Sequence, residues 1–350
     1  MAFHYADTLR KHNRVGAGIY SIIYHVAPTI VVKTVHPDLT PEEKATLEEH
    51  ILIKEIAFFK GLNKLQDRCP DIVECFLMLP DYLFLPYCTH GSLGTRLFHH
   101  QEREPTIDRW VGRVIRVKEY EDPALVARWI QQLTSALEYV EKIGFCHNDL
   151  HSGNCLLDSN LNLKLTDFGC ATTIGQLLEN LHAPRAMKIL AGPLKGTYGL
   201  CSARTEQFAV GTLLYLMLYG YEPYDDIDSR EWVESGGPDR FANMEFPELN
   251  CNEVLDGLIS ACWHNVYPTM AFVAYDFKRK TKDMVLSPEY IPIDSVKEIK
   301  ACEALIRKGL LGPELALRFQ PAWRRYLHAF MQRGMFIWQS FLQRRFWIWS

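Results

Sequence analysis

His147-Asn148-Asp149-Leu150-His151-Ser152-Gly153-Asn154, followed after twelve residues by Asp167-Phe168-Gly169, is the stretch on which the fold turns. Three of its groups are what a metal-assisted phosphoryl transfer needs. Asp149 can orient a nucleophilic hydroxyl and accept its proton, and Asn154 and Asp167 carry the oxygen ligands that a hard cation such as Mg²⁺ prefers. Between them, residues 155–158 and 161–166 each read as a short strand, the second alternating apolar and polar, with Asp158-Ser159-Asn160 as the turn. Such a hairpin sets Asn154 and Asp167 at neighbouring strand ends, facing one metal cluster.

Both segments, in this order and eighteen residues apart from aspartate to aspartate, resemble the catalytic loop H-R-D-L-x-x-x-N and the metal-binding D-F-G of eukaryotic protein kinases. The resemblance implies an α+β fold of two lobes. A small β-rich lobe is expected over residues 14–88, a larger helical lobe over 89–275 and a helical C-terminal extension over 276–350. It also implies ATP and Mg²⁺ as cofactors.

Outward from that centre, the N-terminal part supplies matching pieces. Val15-Gly16-Ala17-Gly18-Ile19-Tyr20-Ser21-Ile22-Ile23 resembles the family's glycine-rich loop, in which bare backbone lies close over phosphates and exposed amides attract their charge. Thr29-Ile30-Val31-Val32-Lys33 is an apolar strand with one lysine, matching the V-A-I-K strand. Val31 takes the place of the usual alanine against adenine and narrows that roof. Thr40-Pro41-Glu42-Glu43 gives an N-cap, a proline at N1 and acids in the first turn of a helix expected over 41–65. Glu55, flanked by Ile56 and Phe59, is the expected ion-pair partner of Lys33, preferred over Glu48 and Glu49 because Phe59 would then meet Phe168. Strands are expected at 72–79 and 82–86. Leu85-Pro86-Tyr87-Cys88 resembles the hinge, where Pro86 need offer only a carbonyl and Cys88 an amide. The resemblance therefore assigns nucleotide binding to Gly16, Gly18, Ser21, Ile23, Val31, Lys33, Leu85, Pro86, Cys88, Ser92 and Leu156.

Residues 99–121 read as a polar, irregular insertion. Asp122-Pro123 then caps a long amphipathic helix carrying Leu125, Trp129, Ile130, Leu133, Leu137 and Val140 on one face. Residues 170–195 form the expected activation segment, closed by Gly196-Thr197-Tyr198-Gly199. No A-P-E follows. Thr205–Tyr215 resembles the central helix, with Glu206 in place of the aspartate that holds the catalytic-loop backbone, and Gly220-Tyr221-Glu222-Pro223-Tyr224 closes it. Leu255–Trp263 resembles the helix ending in C-W, but the arginine that normally follows is absent, so both partners of a buried pair are missing together.

Composition narrows the classes. The hydrophobic share of 48% and charged share of 23% are those of an ordinary globular chain, and a net charge of −4 gives no reason to expect nucleic acid. Ten cysteines without metal-type C-x-x-C pairs, and no apolar core at the start, lead to an expectation of free thiols and a cytoplasmic or nuclear location. Residues 319–350 carry Arg324, Arg325, Arg333, Arg344 and Arg345 among aromatics, with no acid after Glu314. Such a tail could lie on anionic membrane, though packing on its own domain is the commoner fate.

The substitutions inside the loop matter. Asn148 stands where the family has the arginine that pairs with a phosphorylated activation loop, so control by loop phosphorylation is not expected. His151 replaces the lysine that touches the γ-phosphate in serine/threonine kinases. D-L-H-x-G-N is also how aminoglycoside- and choline-type kinases write this loop. The full set of Lys33, Glu55, Asp149, Asn154 and Asp167 favours an active protein kinase acting on Ser/Thr hydroxyls of a protein substrate. A small-molecule kinase and an ATP-binding pseudokinase scaffold are the alternatives. The overall pattern resembles divergent kinase-like proteins of fungi.

Overall fold

The computed structural model describes residues 6–18, 21–36, 52–65, 67–105, 111–178, 185–234, 236–237, 239–285 and 293–326. In chain order the main elements are β1 (Asn13–Ala17), β2 (Ser21–Ala27), β3 (Ile30–Val35), α1 (Leu52–Leu62), β4 (Leu77–Leu79) and β5 (Tyr82–Pro86). There follow α2 (Leu93–His99), β6 (Gln101–Arg103), β7 (Val114–Val117), α3 (Pro123–Lys142), β8 (Cys155–Leu157) and β9 (Leu163–Leu165). The rest comprises α4 (Ala203–Tyr219), α5 (Glu253–Trp263), α6 (Met270–Lys280), α7 (Ser295–Arg307) and α8 (Pro313–Arg318). The expected helix start at Pro41, Glu42 and Glu43, the competitors Glu48 and Glu49, and the tail beyond Tyr326 lie outside the described residues.

The chain divides into two compact units. The first holds residues 1–39, 75–86 and 293–350, the second 40–74 and 87–292. In the first, five antiparallel strands run in the order β1-β2-β3-β5-β4. Alternation sorts their side chains onto two faces. Register places Tyr24 beside Val32 and Val32 beside Phe84, while Ile23 and Leu83 both pair with Lys33, and Val31 pairs with Leu85. Tyr24, Val32 and Phe84 join Ile22, Ile30 and Tyr82 in a core completed by Cys302, Ile306, Leu310 and Leu311.

Residues from the far end of the sequence thus cover one face of this sheet over β2, β3, β4 and β5. The reason lies in α7, which Asp294 caps by accepting from the Lys297 amide, and whose Ile299, Cys302 and Ile306 recur at helical spacing. A further tie comes from the β2–β3 turn, where Thr29 Oγ1 donates to Glu298 at 2.8 Å across 269 residues of sequence. The packing divisions therefore differ from the 14–88, 89–275 and 276–350 drawn from sequence. Trp323, with Arg324 over its ring at 5.1 Å, is exposed.

In the second unit, α3 is buried along the predicted stripe from Trp129 to Val140, with Leu125 only partly buried, and is capped by Asp122, which accepts from the Ala124 amide, with Pro123 in the first turn. Helix α4 is buried along nearly its whole length. A Cβ on Gly211 would come within 2.9 Å of Cys262 and 3.0 Å of Trp263, so only glycine lets α5 approach α4 this closely. The predicted hairpin forms as β8–β9, with Asp158 accepting from the amides of Asn160 and Asn162 to shape its turn.

Two local expectations are corrected. Only Leu77–Leu79 of the 72–79 segment is a strand, because the chain passes from the second unit to the first here; Val73 donates instead to Leu165 beside the hairpin. The 99–121 insertion is not irregular throughout: β6 and β7 pair, and Arg103 ties them to Asp225 while Gln101 donates to the Gly220 carbonyl.

Ile306 is fully buried against the sheet. Ile306→Ala should lower unfolding free energy by about 2–5 kcal/mol. Denaturant unfolding of the full chain checks this, and a loss under about 0.5 kcal/mol, the scale of a surface change, would show that α7 is not part of the core.

Candidate active site

The catalytic loop is held by groups that are themselves buried. His147 is fully buried, and burial holds its imidazole below the usual range, hence neutral at neutral pH. Its Nε2 lies 2.9 Å from the Thr166 carbonyl, so the proton is assigned there, and Nδ1 accepts from the Asp149 amide at 3.3 Å. The ring also meets Phe168 edge-on, centroids 5.0 Å apart. Asn148 adopts φ of +60°, a left-handed conformation that asparagine tolerates better than most residues.

Below the loop, Glu206 of α4 accepts two backbone N–H groups, His147 to Oε2 at 2.9 Å and Asn148 to Oε1 at 3.1 Å. The replacement of aspartate anticipated from sequence therefore makes the bonds expected of it. Burial pushes the Glu206 carboxyl up to about 7, with Glu141 adding to the rise and the two N–H groups opposing it.

Asp149 is half-buried in effect, and burial alone would raise its carboxyl. Hydrogen bonding from His151, the nearby imidazoles and Asn154 outweigh that and leave it below the ordinary value. Asn154 Nδ2 donates both to the Asp149 carbonyl at 2.9 Å and to its Oδ2 at 3.1 Å. His151 Nε2 stands 3.7 Å from Asp149 Oδ2, while its Nδ1 accepts from the Gly153 amide at 3.1 Å. A Cβ on Gly153 would come within 2.8 Å of the His151 ring, so glycine is what allows the imidazole this position.

The hairpin brings the two expected metal ligands to adjacent strand ends, since Thr166 donates to the Asn154 carbonyl at 3.0 Å. Asp167 is left-handed at φ +63° and caps the Phe168–Cys170 turn without a side-chain bond to it. With Nδ2 committed to Asp149, Asn154 presents Oδ1, and Asp167 presents a carboxylate. Such a set fits Mg²⁺, which takes one or two protein oxygens and fills its shell with phosphate and water.

Phe168 is buried by α1: Phe58 stacks on it at 4.1 Å and Phe59 meets it edge-on at 5.7 Å. The Phe59 contact used to choose Glu55 is present, and Phe58, not singled out from sequence, is the nearer ring. Glu55 is fully buried on α1 in the second unit, and Lys33 is buried on β3 in the first. Of the other nucleotide candidates, Ile23, Val31, Lys33 and Leu85 occupy the sheet face opposite the α7 core, with Gly16, Gly18 and Ser21 in or beside the β1–β2 hairpin and Pro86 at the end of β5. In the second unit Ser92 and Leu156 pair through an isolated bridge, and Cys88 is buried. The Ser92 hydroxyl also caps α2, accepting from the Thr95 amide.

Comparison with known proteins agrees with this arrangement. Residues 10–269 match the family "Protein tyrosine and serine/threonine kinase". The chain belongs to that family. It is 28% identical over 297 residues to the tyrosine-protein kinase transforming protein Abl of Abelson murine leukemia virus, covering 81% of this chain and 36% of that protein. It is 29% identical over 272 residues to human tyrosine-protein kinase ABL2, covering 73% and 20%. It is also 29% identical over 180 residues to CBL-interacting serine/threonine-protein kinase 3 of Arabidopsis thaliana, covering 49% and 36%. The chain thus spans about a third or less of the length of the first two relatives. Among its described residues, no helix is long and apolar enough to cross a membrane.

The raised Glu206 carboxyl has a measurable sign. Between its unfolded value near 4.5 and about 7 the folded chain holds a proton that the unfolded chain has released, so its contribution to stability is full below that window and lost as pH rises through it. Comparing unfolding free energies of wild type and Glu206→Gln at pH 5 and pH 8 should shift the balance toward the variant by on the order of 3 kcal/mol at the higher pH. A pH-independent difference would remove burial as the dominant cause.

Proposed function

We propose that this chain transfers the γ-phosphoryl group of ATP to a hydroxyl of a protein substrate. The observation that carries the reading is Asp149, ionised, buried on one side and fixed by Asn154 and its own backbone, next to a hairpin end that offers Asn154 Oδ1 and the Asp167 carboxylate. Phosphoryl transfer asks the protein for positioning and charge neutralisation more than for a strong nucleophile. A carboxyl held below its usual value is a weak base at neutral pH, so its main work here is to accept a hydrogen bond from the hydroxyl and aim its oxygen. Asn154 and Asp167 would hold Mg²⁺, which when bound neutralises charge on the phosphates. Lys33 would engage the inner phosphates, with Glu55 aiming it. The glycine hairpin, Val31, Leu85, Pro86, Cys88, Ser92 and Leu156 would complete the nucleotide set.

His151, 3.7 Å from Asp149, stands where serine/threonine enzymes carry a lysine, a departure from that class at the acceptor side of the loop. Two relatives are named as tyrosine kinases and one as a serine/threonine kinase, so assays must offer all three hydroxyls.

Purified chain incubated with Mg-ATP and a Ser/Thr/Tyr peptide mixture should yield phosphopeptide. Asp149→Asn should lower kcat by about a hundredfold or more with ATP affinity nearly unchanged. Asp167→Ala should weaken Mg-ATP binding itself, read by calorimetry. Wild-type turnover in Asp149→Asn would remove the acceptor role from this carboxylate, and release of free phosphate without phosphopeptide would point to another acceptor.

A further inference from the structure

The activation segment ends on a contact that the loop sequence does not announce. Asn148 Nδ2 donates to the Cys201 sulfur at 3.1 Å, bridging 53 residues of chain. Both residues are buried, at 2% and 0% exposure. The backbone on each side is pinned as well. The Asn148 amide is held by Glu206. The Cys201 amide donates to Gln176 at 2.7 Å, its carbonyl accepts from Gly175 at 2.9 Å, and Leu178 donates to Gly199 at 2.9 Å. Cys146, Leu178 and Ala186 pack around Cys201, with Tyr198 against them.

A thiol is a weak acceptor, but in a dry pocket water does not compete with it, and an amide left there without any partner would be costly. Asn148 Oδ1 has no hydrogen-bond partner among the described residues, which leaves Nδ2 as the polar hold on this side chain. Asn148 immediately precedes Asp149, so whatever fixes its side chain also fixes the peptide that carries the acceptor-binding carboxylate. The bond is uncharged and needs no added phosphate to form.

We propose that Cys201 is a positioning residue: its bond from Asn148 latches the end of the activation segment to the catalytic loop and keeps Asp149 aimed. The latch is closed in the unmodified chain. Its effect on rate rests on the phosphotransfer reading above, whereas its effect on the segment does not.

Cys201→Val and Cys201→Thr have the same shape and differ in whether an acceptor faces Asn148. Turnover and amide hydrogen exchange, measured together on the full chain, read both consequences. Cys201→Val should lower kcat about tenfold at unchanged ATP KM and speed exchange at the Leu178 and Cys201 amides, while Cys201→Thr should stay within about twofold of wild type. If the larger side chains prevent folding, Cys201→Ala and Cys201→Ser give the same contrast with room to spare. Equal behaviour within a pair, or a more active apolar variant, would overturn the latch and leave Cys201 as packing. A wild-type chain that turns over no ATP would sink the phosphotransfer reading, and the exchange rates would still decide the latch.

Discussion

The catalytic loop depends on one buried carboxylate. Glu206 receives the amides of His147 and Asn148 from below, in a place where burial works against its charge. Asn148 then turns left-handed, directly before Asp149. Above it, His147 spends both ring nitrogens on backbone, one toward Thr166 and one toward the Asp149 amide. Removing the carboxylate would leave two buried donors unpaired at the point where the loop reverses. The loop is therefore fixed from the helical core upward, and Asp149 inherits its position from it.

The sheet of the first unit is under a different constraint. A strand such as β3, apolar on both faces, must be covered on both. The face carrying Tyr24, Val32 and Phe84 is covered by Cys302, Ile306, Leu310 and Leu311, so a sequence-distant segment is part of this unit's core and not an appendage. The other face carries Lys33 with Ile23, Val31, Leu83 and Leu85, a cation set among apolar neighbours. With one face closed by the chain's own C-terminal helices, that lysine-bearing face is the one left for nucleotide in the proposed function.

With asparagine at 148, the activation segment is held by backbone bonds from Gly175 to Cys201, by the Arg185–Glu222 ion pair at 3.1 Å, by Arg204 donating to the Tyr198 carbonyl, and by the amide–thiol contact. Thr197 serves its own turn, donating to the Leu194 carbonyl and accepting from the Gly199 amide.

The sequence by itself determined the local pieces: the hairpin between Asn154 and Asp167, the cap and apolar stripe of α3, the strand bearing Lys33, and the glutamate in the place of aspartate. Each rests on periodicity, turn chemistry or a spacing of a few residues, and such signals are written along the chain. Phe59 against Phe168 was also legible, because helical spacing fixes which ring faces the loop once Glu55 is chosen. Tertiary structure decided the rest. That α7 is an amphipathic helix could be read from Ile299, Cys302 and Ile306, but not that it closes the sheet of strands more than two hundred residues earlier. Cys201 carried no sequence signal as the partner of Asn148, and Phe58 none as the closest ring to Phe168. A hydrophobic or hydrogen-bonding side chain records that it needs a neighbour; which neighbour it meets is set by the path of the backbone between them.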